Sequence, residues 1–225
     1  MNYLSKLASL LLAILLTTPL VAQQTRTAEE EAAYTKTINQ RAEKIVKTLS
    51  ITDAGKAARV HDIIAKQYRS LSEIQDASDA RIKLAEQQAA QDSGKKKELT
   101  KAIEDETTTR LDKLHADYLS ALSAELTPEQ VESVKNGMTY GVLPITYAGY
   151  LDMLPDLNEE QKKQIMTWLV EAREHAMDAG SSEKKHWWFG KYKGRINNYL
   201  SSAGYDMKKA GEEWDKRRKA RAEKS

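Results

Sequence analysis

Cysteine is absent from the 225 residues, which excludes a structural disulfide, a lipidated N-terminal cysteine and a thiolate nucleophile. Net charge is nearly absent too. Against 35 Lys and Arg stand 33 Asp and Glu, so a formal +2 sets up no field that would gather nucleic acid or an anionic membrane. Proline is limited to four residues and alternating β-branched runs are scarce, which removes sheet architectures and leaves helix nearly throughout. No Gly-x-Ser-x-Gly, glycine-rich phosphate loop or His-Glu-x-x-His occurs. Without those signatures the balance lies against an enzyme, and no motif asks for a cofactor or a metal.

Long apolar runs are missing as well. The longest, Leu7 to Leu16, covers about ten residues, too short to cross a bilayer. With Lys6 before it and Thr17-Thr18-Pro19 and Val21-Ala22 after it, residues 1–22 have the form of a cleaved secretory signal. The expected product is a soluble periplasmic or secreted protein, a single helical domain over residues 23–225 with no membrane attachment after cleavage.

Helical spacing organises the chain. Ile38, Ala42, Ile45, Val46 and Leu49 predict a first helix over about Ala28 to Leu49. Val60, Ile63, Ile64, Tyr68, Leu71 and Ile74 predict a long one from about Asp53 to Gln91, and Leu99, Ile103, Leu111, Leu114, Tyr118, Leu119 and Leu122 a return helix from about Lys95 to Ala124. Asp92-Ser93-Gly94 joins the last two into an antiparallel hairpin, so residues 23–125 read as a hairpin region. Leu126-Thr127-Pro128-Glu129-Gln130-Val131 has the marks of a capping box with a hydrophobic staple, and Leu157-Asn158-Glu159-Glu160-Gln161 repeats the device. Helices follow over about Glu159 to Ala179, Glu183 to Ser201 and Met207 to Ala222. Asn136 to Tyr150, with two glycines close to Pro144, reads as the least helical stretch of the mature chain and as a loop. The fold class is all-α: a long antiparallel N-terminal hairpin plus a compact C-terminal helical bundle.

Eleven of the fifteen aromatic residues fall between Gly137 and Trp214. The densest part reads His186-Trp187-Trp188-Phe189-Gly190-Lys191-Tyr192-Lys193-Gly194-Arg195. Aromatic faces beside cations and amides suit a carbohydrate, whose rings offer C–H faces for stacking and hydroxyls for hydrogen bonds. Buried helix packing uses the same residues. At about 100° per residue, Trp188 and Tyr192 share a stripe with Arg195 and Tyr199, while Trp187 lies on another with Lys191. One stripe is expected in the core and the other at the surface. Gly190 and Gly194 either admit another backbone or leave a shallow open surface.

Glu171 and His175 are four apart, as are Glu174 and Asp178, so each pair shares a helix face. A metal site needs three or four ligands, and Arg173, Lys184 and Lys185 are at hand to pair with the acids; surface or capping roles weigh more than metal. His61 and His115 receive no role. The basic run Lys216 to Arg221 is flanked by acids and reads as a solvated helix end.

The runs Gly141 to Pro155, Glu171 to His186 and Trp188 to Leu200 resemble a family of secreted helical proteins of unknown function from polysaccharide-degrading bacteria, described as sugar-binding. The resemblance implies a role alongside the breakdown of pectin or other plant glycans, and brings no catalytic residues. A fainter similarity, carried by Leu126-Thr127-Pro128-Glu129-Gln130, points to periplasmic helical chaperones, although a capped helix start needs the same residues.

The leading expectation is therefore non-catalytic binding of an oligosaccharide or polysaccharide. Tyr147, Tyr150, Trp187 and Trp188 would stack; Lys191, Lys193, Arg195 and Asn197 would hydrogen-bond hydroxyls or pair with uronate carboxylates. An envelope chaperone or assembly factor, with the hairpin offering an apolar face to clients or to a second copy, is the alternative, and a glycan lyase or hydrolase comes third.

Overall fold

A computed structural model describes residues 26–223. The signal segment expected over residues 1–22 lies outside them. Among the described residues the chain is all-α, with eight helices: α1 (Ala28–Lys47), α2 (Ala54–Gln88), α3 (Ser93–Glu125), α4 (Pro128–Met138), α5 (Val142–Met153), α6 (Glu159–Met177), α7 (Ser182–Ser202) and α8 (Met207–Ala222).

Local chemistry starts most of them. Thr27 with Glu30, Thr127 with Gln130 and Asn158 with Gln161 close capping boxes on α1, α4 and α6, and Pro128 occupies the first turn of α4, where its missing N–H leaves no bond unmade. Asp53, Asp92, Ser181 and Asp206 each accept the amide three residues on, at the starts of α2, α3, α7 and α8.

The stretch expected to be a loop is mostly α5, which corrects the sequence reading. A tight turn precedes the helix: Tyr140 and Gly141 both take left-handed backbone angles, φ 59° and 66°. Pro144 falls in the first turn of α5, where proline is tolerated, and Leu143 and Tyr150 are buried. Packing against α6 thus outweighs the low propensity that Pro144 and Gly149 suggested.

α2 and α3 form the antiparallel hairpin, with Arg59 paired to Glu125 near its base, Arg81 to Glu106 midway and Lys96 to Glu86 near its tip. Its 35-residue arm is about 52 Å long. α1 and α4 pack at the base around Ile38, Val60, Ile64, Leu122, Val134 and Met138. A second core joins α5, α6 and α7 through Leu143, Ile165, Leu169, Phe189, Ile196 and Leu200. Met177, at the end of α6, reaches the first core, so the turn between α6 and α7 sits where the hairpin meets the C-terminal bundle.

Candidate functional site

At that junction a groove of about 310 Å³ opens between the hairpin and the start of α7. Gln75 lines it from α2, Thr108, Leu111 and Asp112 from α3, His175, Asp178 and Ala179 from the end of α6, and Lys184, Trp187 and Trp188 from α7. Trp187 is 58% exposed. Its ring meets that of Trp188 edge-on, at 5.0 Å and 77°. Trp188 in turn stacks on His175, at 4.3 Å and 16°, so its ring is backed on one side. The Lys191 ammonium lies 5.4 Å from the Trp187 centroid and 4.8 Å from that of Trp188, within cation–π range of both. The result is a shelf in which Trp188 and His175 support an open Trp187.

A charged network holds the end of α6 in place beneath the groove. His115, on α3, bonds Asp178 through Nδ1 at 2.9 Å and faces Glu174 through Nε2 at 3.4 Å. The hydrogen bond to Asp178, then the one to Glu174, raises the imidazole to about 9. Burial alone would raise the Glu174 carboxyl, but His115, Lys135 and Arg173 hold it down at about 2. Arg173, nearly sealed from solvent, also reaches Glu132 at 2.7 Å and the Asn136 side chain at 3.1 Å. The buried Lys185 ammonium donates to the carbonyls of Ala176 and Met177 at 2.8 and 3.0 Å, which satisfies the last turn of α6. Burial pulls that ammonium down to about 8. Four helices, α3, α4, α6 and α7, thus meet in one set of ion pairs and hydrogen bonds.

Of the eight residues singled out in the sequence, Trp187, Trp188 and Lys191 come together at the shelf. Tyr150 does not join them: it is buried on α5, and its hydroxyl donates to Oδ1 of the exposed Asn197 at 2.7 Å, so the tyrosine ring offers no open face for a ligand. This corrects the stacking role expected of Tyr150, which followed from reading α5 as a loop. Lys193 is exposed, and its carbonyl accepts a longer bond from the same hydroxyl, at 3.4 Å. Tyr147 borders a different groove, with Lys162, Met166, Val170 and Glu171 of α6. Arg195 lies 4.6 Å over the Trp168 ring and 3.5 Å from Glu171. Glu171 and His175 therefore diverge, one toward Arg195 and the other onto Trp188.

Sequence reasoning missed His115 and the hairpin side of the groove. Gln75, Thr108 and Asp112 lie at least 63 residues before His175, and no local pattern ties them to it. The shared face of Glu174 and Asp178 was the available signal, because two carboxylates on consecutive turns at a buried helix end call for a cation from elsewhere.

A family model described as "Protein of unknown function (DUF3826)" matches residues 35–220. No curated protein matches the chain.

Proposed function

For this chain, which belongs to the DUF3826 family of proteins of unknown function, we propose non-catalytic carbohydrate binding at the Trp187 shelf, by an exported bacterial protein serving plant-glycan utilisation. The observation that carries the reading is the open Trp187 ring, fixed beside a groove with polar walls. An indole left in water forgoes the free energy of its own burial, about 1.5–3 kcal/mol for a large apolar side chain. A sugar ring laid on it would recover that term. Gln75, Thr108 and Asp112 line the facing wall with the amide, hydroxyl and carboxylate groups that sugar hydroxyls bond.

The hairpin gives a client-binding chaperone little to work with: among its described residues Leu84 is the one large hydrophobe that is exposed. Calorimetric titration of the full chain with neutral and acidic plant oligosaccharides tests the carbohydrate reading. Binding is expected, with Trp187→Ala weakening it about tenfold or more. Failure of every oligosaccharide to bind, or equal binding by the variant, removes the site. Shortened products in the same incubations would remove the word non-catalytic.

A further inference from the structure

Resting on that carbohydrate reading, we propose that the ligand is an acidic sugar chain, a polyuronate, whose carboxylates are read by Lys184 and Lys191 on the outer side of α7. The chain as a whole is balanced, at 35 Lys and Arg to 33 Asp and Glu. Its charge is not evenly placed: α7 and α8 together hold twelve cationic side chains against four carboxylates. On α7 the single carboxylate is Glu183, and Lys184, Lys191, Lys193 and Arg195 are all exposed.

These four cations are not equivalent. At about 100° per residue, Lys184 and Lys191 lie on the same side of α7 as Trp187, within about 60° of it, while Lys193 points well away, toward the flank that meets α5. Arg195 is already engaged by Trp168 and Glu171. That leaves Lys184, which lines the groove, and Lys191, which hangs over both indoles, as the cations a bound sugar would meet. Glu183 also lies within about 40° of Trp187 but is not among the residues that line the groove; the carboxylates of the groove itself belong to the other side. Asp178 is matched by His115, and Asp112 stands on the hairpin wall, where it would repel a uronate group and accept a hydroxyl. The charges thus orient the ligand, with hydroxyls toward α3 and carboxylates toward α7. Beyond Trp187 the outer surface of α7 is open, since a Cβ added at Gly190 or Gly194 would meet nothing within 4 Å, and a chain of several sugars can continue along it. On α8, by contrast, Arg217 and Arg221 are tied to Asp152, and Glu212, Glu213 and Asp215 interrupt the cations.

The test is titration of the full chain with oligogalacturonate and with the same oligomer fully methyl-esterified, which keeps the rings and hydroxyls but loses the charge. The acid form is expected to bind about tenfold more tightly at low salt, and the preference to shrink at high salt. The pair Lys184→Gln and Lys191→Gln should abolish the preference, so that acid and ester bind the variant equally, and Lys216→Gln with Lys219→Gln on α8 should leave the preference as it is in the parent chain. Equal binding of acid and ester overturns the proposal and leaves the carbohydrate reading standing. No binding of either oligomer, or of any neutral one, overturns both. Inorganic polyphosphate binding as tightly as oligogalacturonate, with Trp187→Ala without effect, would mark a generic polyanion surface and also overturn it, as would loss of the preference from the α8 pair instead of the α7 pair.

Discussion

Two glycines of this chain, Gly137 and Gly190, respond to substitution in opposite ways. At Gly137 an added Cβ would come 2.8 Å from Cγ1 of the buried Ile45, closer than real contacts allow, so Gly137→Ala is expected to destabilise by about 1–3 kcal/mol through overpacking. At Gly190 the space is empty, and Gly190→Ala is expected to stabilise by about 0.8–1 kcal/mol through helix propensity. Chemical denaturation of both variants would check the opposite signs, and a loss from Gly190→Ala would show that the α7 surface is not as open as its geometry. Tyr150 gives a third contrast, because removing its hydroxyl breaks the bond to Asn197 without touching the shelf. Tyr150→Phe should cost about 1 kcal/mol of stability and leave saccharide affinity unchanged.

Among the helices, the two with capping boxes recognised in the sequence were legible at their starts. α4 and α6 begin where Thr127-Pro128-Glu129-Gln130 and Asn158-Glu159-Glu160-Gln161 say they should, and α8 runs over the expected Met207–Ala222. α5 was not legible, because Gly141 opens it without a side-chain cap and Pro144 reads as a breaker unless its place in the first turn is known. The same gap misplaced Tyr150. Trp187 and Lys191 were legible as one stripe of α7, whereas the meeting of that stripe with Trp188 and the facing wall depends on how α6 and a distant hairpin pack. α8 shows the opposite case: it has no fully buried residue, Met207 and Ala210 pack against the edge of the second core, and Asp152 ties the helix down by accepting from Trp214 Nε1 at 2.6 Å and from Arg221 at 2.9 Å. Asp152→Ala should therefore free α8 selectively, seen as lost amide-exchange protection over residues 207–222 with α6 and α7 unchanged.

Over the whole molecule, acid and base act on the junction in opposite ways. His115 is raised from 6.5 to about 9, so its contribution is complete below about 6.5 and is lost as pH rises through about 9. Glu174 is lowered from 4.5 to about 2, so its contribution is complete above about 4.5 and is lost as pH falls through about 2. Lys185 runs against His115: its lowered value makes the buried ammonium a cost below about 8 that fades toward 10.5. Stability from the His115 and Glu174 pair is thus greatest between about 4.5 and 6.5. The thermal midpoint of His115→Gln, followed from pH 6 to 9, should fall less steeply than that of the parent chain. Parallel curves would show that the bridge does not set the pH response. The hairpin that supplies His115 continues well past it, and toward its tip Lys96 of one arm pairs with Glu86 of the other. A surface anchor or a spliced-in reporter placed at the exposed Ala90-Gln91 turn would consequently hang at the far end of a rod from the indoles, so the molecule can be immobilised there with its Trp187 face pointing outward.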